Sequence, residues 1–186
     1  MSKTRTQRRL WSYVVAHDTG FAPNPDGRHC TLACCKPVIR KCAAPGDWIV
    51  GTHSVKIGRG LVCYAMRVDR VILLNAYWQL KEFQNRKDNI YYLTNKGYRQ
   101  KQNKYHDRTQ MDRDLKSRRV LISKHFWYFG NKDIALPKSL NEVIAKRGHK
   151  SQFSDKAISS FLSWLKKQGK SGRRGKPRSP VEKCER

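Results

Sequence analysis

The stretch APGDWIVGTHSVKIGRGLVCYAMRVDRV, residues 44–71, determines the fold class that this sequence predicts. A Pro-Gly-Asp turn leads into an apolar run at residues 48–51. A basic turn that contains glycines, at residues 56–60, separates this run from residues 61–71, where apolar side chains alternate with others. Alternation with a period of two is typical of β-strands. The stretch therefore predicts two strands with a tight turn between them.

The regions on either side extend this β-rich pattern. Residues 11–17 (WSYVVAH) predict a buried strand, and residues 31–40 predict a short helix limited by Pro37 or a helical turn that opens into an extended segment. Further predicted elements are a short helix at 75–83, an irregular basic segment at 86–119, a strand at 120–123, an aromatic run at 126–130 and a last helix with the apolar stripe Ile158, Phe161, Leu162 and Leu165. Together they predict an α+β fold, with a small curled β-sheet or a β-barrel and flanking helices.

The chain is strongly basic: 40 Lys and Arg against 14 Asp and Glu give a net charge of +26 over 186 residues. Residues 165–186 hold nine basic and two acidic residues in a Gly-, Ser- and Pro-containing sequence with little to bury, which predicts a disordered basic tail at 166–186. The remaining charge lies on a predicted basic arm at 1–10 and a single domain at 11–165.

A field of this sign attracts phosphate groups. The expected partner is therefore a nucleic acid, with DNA favoured, or a phosphorylated nucleotide, bound with strong salt dependence. The sequence has no apolar run of membrane-spanning length and no signal peptide, so we expect a cytoplasmic protein without a membrane partner. The sequence does not indicate an oligomeric state.

The six cysteines are at positions 30, 34, 35, 42, 63 and 184. In a reducing compartment they are expected as free thiols. Cys30, Cys34, Cys35 and Cys42 lack the paired knuckles of structural zinc sites, and we predict no metal and no cofactor. Assembly of a zinc site from these cysteines with nearby histidines stays open as an alternative to their packing in a buried turn.

Two clusters near the N-terminus are candidates for a ligand site. Asp18, Thr19 and Gly20 follow the first strand, where they either hydrogen-bond a base or ribose or form an ordinary Asp turn. Lys36 and Arg40 are four residues apart, so on a helix they share a face and can hold a phosphate. Cys35 is a candidate nucleophile if Lys36 favours its thiolate form.

Further candidates come from residues that combine aromatic, hydroxyl and basic groups. Trp48, Thr52 and His53 flank the strand at 48–51 and supply the parts of a base pocket, although Trp48 also fits the core. The segment 86–119 interleaves aromatic and cationic side chains, as single-strand-binding surfaces do, and a solvated loop has a similar composition. The remaining candidates are Tyr92, Arg99, Lys101, His106, Ser123, Arg147 and His149.

Several motifs, in order along the chain, resemble one known family. They are YVVAHDTGFAPNP, CTLACCKPVIRKCAAPGDWIVGT, LVCYAMRVDRVI, DNIYY, RRVLISKHFWYFG and KRGHKSQF, and they lie within residues 11–165. They resemble the second family of nucleotide-modification-associated domains, which occur mainly in phages and bacteria beside genes for DNA base modification. A separate likeness of strand and turn order is to the PUA-like class of small β-barrels, whose members bind flipped or modified bases. It implies a barrel with a base pocket.

The sequence favours binding over catalysis, because it holds no P-loop, no dinucleotide fingerprint and no zinc-deaminase motif. Few acidic residues can serve as a general base; Asp18, Asp47 and Asp114 are the candidates. The first hypothesis is a protein that binds a base or nucleotide, in its modified or unmodified form, in a cationic pocket. The alternatives are an enzyme of base or nucleotide modification, and a phage protein that sequesters a small nucleotide signal.

Overall fold

The computed structural model describes residues 8–179, so most of the predicted arm and the end of the predicted tail, 180–186, lie outside the described residues. Its strands and α-helices are β1 (Leu10–Val15), β2 (Cys30–Leu32), α1 (Pro37–Cys42), β3 (Trp48–His53), β4 (Leu61–Arg67), β5 (Arg70–Leu73), α2 (Leu74–Gln79), β6 (Tyr91–Thr94), β7 (Gly97–Gln100), α3 (Thr109–Leu115), β8 (Arg119–Ser123), β9 (Phe126–Tyr128), β10 (Ile134–Ala135), β11 (His149–Lys150), α4 (Asp155–Lys166) and β12 (Gly172–Arg173). Short 3-10 turns occupy Lys81–Phe83, Gly130–Lys132 and Lys138–Val143. Among these described helices none has the length and apolar character needed to cross a membrane.

The largest sheet is built around two parallel neighbours, β1 and β3. Its strand order is β11-β1-β3-β4-β9-β12, with β10 paired to β4. A second sheet has the order β2-β8-β5, and β6 and β7 form a separate hairpin. Val15 at the end of β1 lies opposite His53 at the end of β3. The two strands therefore end at the same edge of the sheet. The candidate cluster Asp18, Thr19 and Gly20 follows β1 at this edge.

The predicted α+β class is confirmed, but none of the sheets closes into a barrel within residues 8–179. The chain changes sheets between Arg67 and Arg70, so the strand predicted at 61–71 is divided into β4 in the first sheet and β5 in the second. The outer strands β11 and β12 each pair with one neighbour only, which leaves the large sheet open. The chain therefore turns a corner between two packed sheets instead of closing one.

Helix α4 covers one face of the large sheet. The Ser154 hydroxyl accepts a hydrogen bond from a backbone N–H in the first turn and so caps the helix. Phe161 and Leu165 on its apolar stripe pack in one cluster with Trp48 and Trp127. Trp48 is therefore a core residue and not part of a base pocket, the other interpretation that the sequence allowed.

The segment predicted to be irregular, 86–119, contains the hairpin β6–β7 and helix α3. Tyr91 at the start of β6 is fully buried and belongs to the cluster of Tyr77 and Phe83. Burial of a few large aromatic rings thus orders a segment whose average composition is polar. Pro37 is the first residue of α1, where its missing N–H is tolerated, and does not limit that helix.

Residues 166–179, which the sequence predicts as part of a disordered tail, include the end of α4 and strand β12 in the structure. Strand β12 pairs in parallel with β9, and the Ser179 N–H donates to the Asp18 carbonyl at 2.9 Å. A Cβ atom at Gly20 would lie 2.6 Å from Pro177, so this segment packs closely on the loop after β1. It is held by backbone hydrogen bonds and by the ion pairs of Arg173 with Asp26 and of Arg178 with Asp133. Composition did not predict this order because few apolar side chains take part.

Candidate active site

A cysteine in a rare backbone conformation lies between β2 and α1. Cys35 and Lys36 have φ values of 58° and 42°, in the left-handed region that non-glycine residues rarely occupy. Such strain costs on the order of 1 to 3 kcal/mol per residue and is found mostly at functional sites. The half-buried Cys35 side chain lines a cleft, whereas the preceding Cys34 is fully buried. The turn therefore presents one thiol of the pair to the cleft.

Cys35 begins a chain of three polar side chains. Its Sγ lies 3.4 Å from Nε2 of His106, and Nδ1 of the same ring lies 2.9 Å from Oδ2 of Asp114. A thiol, an imidazole and a carboxylate in this order form the arrangement of nucleophile, base and orienting acid. Because Asp114 accepts from Nδ1–H, it directs Nε2 to the sulfur. The geometry required for nucleophilic catalysis by Cys35 is thus present.

Asp114 is held by donors from several parts of the chain. Its Oδ1 accepts the backbone N–H of Cys35 at 2.6 Å, and its Oδ2 accepts the hydroxyl of Tyr91 at 2.8 Å. The guanidinium of Arg40 lies 3.9 Å from Oδ1. Helix α3, which carries Asp114, is therefore fixed to the Cys35 turn and to β6 by one buried carboxylate.

The contact between His106 and Asp114 shifts the pKa of both groups towards their charged forms. Burial opposes the protonated form of His106, but its hydrogen bonds to Asp114 and Cys35 outweigh this and raise the pKa of His106 to about 9. Burial likewise opposes ionisation of Asp114, but the contact with His106 and the Tyr91 hydroxyl prevail and lower its pKa. At neutral pH His106 therefore carries a proton on each ring nitrogen, and the Nε2 proton lies beside the Cys35 sulfur.

The raised pKa of His106 predicts a pH-dependent stability. The folded protein holds this proton more tightly than the unfolded chain, whose ordinary value is 6.5, so the contribution is complete below pH 6.5 and is lost as the pH rises through about 9. Urea unfolding of the wild type and His106→Gln at pH 6 and pH 10 measures it. We expect the stability advantage of the wild type to shrink by up to about 3 kcal/mol at the higher pH. A stability advantage of the wild type that is equal at pH 6 and pH 10 would show that the pKa of His106 is not raised in the folded protein.

The cleft in front of the triad has a volume of about 320 Å³. The rings of Phe21 and Tyr105 are stacked on each other in its wall, with centroids 4.6 Å apart. Lys36 lies over the ring of Tyr13 at 4.5 Å, and its Nζ donates to a backbone carbonyl of β1 at 3.3 Å. Arg113 supplies a second cation. The cleft therefore combines flat apolar walls with positive charge beside a nucleophile.

Arg40 does not have the phosphate-binding position predicted for it. Its side chain is fully buried, and its guanidinium donates to the backbone carbonyls of Cys35, Asp114, Ser117 and Arg119. Lys36 precedes the first residue of α1, so the two cations do not share a helical face. Arg40 thus connects the Cys35 turn to the end of α3, and only Lys36 of the predicted pair lines the cleft.

Of the predicted cluster Asp18, Thr19 and Gly20, only Thr19 lines the cleft. Asp18 is buried, and its carboxylate accepts the Tyr128 hydroxyl at 2.6 Å and the Arg178 N–H at 3.2 Å. Gly20 lies against the C-terminal segment. Asp18 therefore connects the core to that segment, and its oxygens face protein donors instead of the base or substrate expected from the sequence.

The other predicted residues do not join the triad. Thr52 and His53 are buried at the end of β3, away from Trp48 at its start, so these three do not form one base pocket. Tyr92 packs beside Trp78, with ring centroids 4.9 Å apart. None of the remaining predicted residues lines the cleft. Arg99 lies in β7 and Lys101 follows it, Ser123 is hydrogen-bonded to the backbone of His125, Arg147 lies in a loop, and His149 lies in β11.

The four cysteines considered for zinc do not come together. Within residues 8–179, possible metal ligands lie within 4.8 Å of one another in two groups, which are Asp18, His53 and Cys63, and Cys34, His106 and Asp114. Burial raises the pKa of both cysteine thiols in these groups, Cys34 and Cys63. The histidine and carboxylate of the second group already form the triad.

Comparison with known proteins identifies the family. The family described as nucleotide modification associated domain 2 matches residues 7–184 of the chain. The chain belongs to this family. No curated protein and no solved structure matches it. Membership links the chain to nucleotide modification, and it extends beyond the 11–165 region in which the sequence motifs were noted.

Proposed function

We propose that this member of the nucleotide modification associated domain 2 family is a cysteine-dependent transferase or hydrolase that acts on an acyl-type bond of a nucleotide-linked substrate. The observation that carries the proposal is the contact of Cys35 with His106, continued to Asp114. Strained backbone at the nucleophile and a charged imidazole beside it support the same assignment.

The reaction follows from the positions of the three side chains. The Cys35 sulfur attacks the carbonyl carbon of an acyl donor, the bond to the leaving group breaks, and His106 gives its Nε2 proton to that group. The neutral His106 then takes a proton from water, or from an amine or hydroxyl of the nucleotide. The deprotonated oxygen or nitrogen attacks the thioester carbon and releases the thiolate, which restores the starting state.

The walls of the cleft support a nucleotide as the bound component. A flat base can stack on the half-buried ring of Tyr105, which rests on the buried ring of Phe21, and the cations of Lys36 and Arg113 can hold its phosphate. Burial lowers the pKa of Lys36, and the neighbouring Cys35 opposes this effect. Recognition of a base or nucleotide, which the sequence favoured over catalysis, is in this proposal the binding step of the enzyme.

Acetylation by p-nitrophenyl acetate tests whether Cys35 is the nucleophile. We expect Cys35 to be acetylated at least about tenfold faster than the exposed Cys42 at pH 7, because the His106 ring contacts the Cys35 sulfur and can transfer a proton in the reaction. Peptide mass spectrometry locates the acetyl group, and nitrophenolate absorbance gives its rate. Cys42→Ser is the matched control and should leave the rate unchanged, whereas Cys35→Ser should abolish the fast phase. Equal labelling of Cys35 and Cys42 would favour the alternative, a protein that binds or sequesters nucleotides without covalent chemistry.

A further inference from the structure

A second groove adjoins the cleft and has no part in the triad. Its volume is about 710 Å³, and it shares the wall residues Val14, Ala16 and His17 with the cleft. These residues are the end of β1 and the chain that follows it. The two depressions therefore lie on either side of one short piece of backbone, so a flexible chain can occupy both.

The groove is lined by positive charge. Lys56 and Arg59 come from the basic turn between β3 and β4, and Lys146 comes from the segment before β11. All three side chains are exposed, and none of them forms an ion pair with a carboxylate of the described residues. No Asp or Glu of the described chain lines the groove. Exposed cations along one groove wall that form no ion pair with a described carboxylate are suited to an anion.

The groove also contains a buried polar group that lacks a partner. His53 is 2 % exposed and lines the groove, and its Nδ1 has no hydrogen-bond partner within the described part of the chain. The other ring nitrogen lies 3.5 Å from both the Asp133 carboxylate and the Gly130 carbonyl. Buried polar atoms are nearly always paired, so the groove wall retains an unused hydrogen-bonding group at His53.

Two sets of cations imply a substrate with more than one phosphate position. Lys36 and Arg113 in the cleft are sufficient for the phosphate of the reacting nucleotide. A mononucleotide held there would leave the cations of the neighbouring groove unused. A strand, by contrast, carries one phosphate for each nucleotide, so its backbone can continue from the cleft across His17 into the groove.

We propose that the groove of Lys56, Arg59 and Lys146 binds the phosphodiester backbone of a polynucleotide strand whose reacting nucleotide occupies the cleft. This inference rests on the proposed function and names its substrate: a nucleotide within a nucleic acid strand, not a free nucleotide. DNA and RNA share the phosphodiester chemistry that the groove recognises, and the test separates them.

The test compares two triple variants of equal charge change. Lys56→Gln, Arg59→Gln and Lys146→Gln remove the groove cations, while Lys41→Gln, Lys81→Gln and Lys167→Gln remove three exposed cations that line neither depression. Fluorescence anisotropy gives the Kd of labelled 20-nucleotide single strands of DNA and of RNA, and of a labelled mononucleotide.

We expect the groove variant to bind the preferred strand about twentyfold more weakly and to lower the slope of log Kd against log salt by about 2, since each phosphate contact of a single strand contributes about 0.7. The control variant should change the Kd less than about threefold. Equal weakening by both variants, no weakening by either, or the same loss for the mononucleotide would overturn the inference.

Acetylation of Cys35 separates this inference from the proposed function. The groove variant keeps every triad residue, so its acetylation rate should equal that of the wild type. Loss of strand binding with normal acetylation supports both proposals. Weakened strand binding in a protein whose Cys35 is unreactive would leave the groove assignment intact and refute the enzyme.

Discussion

Replacing His106 by Gln is expected to slow the acetylation of Cys35 at pH 7 by about a thousandfold, within the range that a positioned acid or base contributes. The imidazole lies 3.4 Å from Sγ, and with a pKa of about 9 it carries at pH 7 the proton that it can give to the leaving group. Gln has a similar size but no charge and no exchangeable proton of suitable acidity. The measurement is the nitrophenolate rate, with mass spectrometry to confirm that the label remains on Cys35.

His17→Gln is the matched control for this result. His17 also lines the cleft, but it is exposed and makes no contact with Sγ. Its replacement should change the rate less than about threefold, because a histidine without contact to the nucleophile has no proton to transfer. Equal losses in the two variants would show that the imidazole of His106 has no special role.

Local sequence could predict the strands but not how they are joined. The alternating apolar residues around Tyr64 and the β-branched run before His17 both lie in strands, because a period of two places one face of a strand in the core. Parallel pairing of β1 with β3, and the corner after Arg67, depend on contacts between distant segments. A period of two carries no information about either, so the sequence left a curled sheet and a barrel open, and no sheet closes into a barrel within residues 8–179.

The site was predictable in its components and not in its assembly. Cys35 and His106 were both candidates, and Asp114 was among the few possible general bases, but the first two lie 71 residues apart in the chain. Their contact requires the segment 86–119 to fold, and the hydrogen bond from Tyr91 to Asp114 is part of what orders it. No spacing in the sequence encodes such a contact.

Arg40→Ala is expected to lower the free energy of unfolding by about 3 to 5 kcal/mol, as the loss of a partner from a buried charged group does. The guanidinium is 0 % exposed and donates to four backbone carbonyls, those of Cys35, Asp114, Ser117 and Arg119. Alanine would leave these oxygens unpaired in the core, and it would also remove the cation near the Asp114 carboxylate. Urea unfolding followed by circular dichroism measures the change.

Two further variants distinguish this structural role from the phosphate contact that the sequence suggested. Arg40→Lys keeps the charge but cannot reach four carbonyls with one ammonium, so it should recover only part of the lost stability. Lys41→Ala changes an exposed cation of the same helix and should alter the stability by less than about 0.5 kcal/mol. If Arg40→Ala instead unfolded like the wild type and lost affinity for a labelled mononucleotide, the side chain would be a phosphate ligand after all.

Arg40 donates a hydrogen bond directly to the Cys35 carbonyl and so helps to fix the position of the nucleophile. We therefore also expect Arg40→Lys to slow the acetylation of Cys35 more than its loss of stability explains.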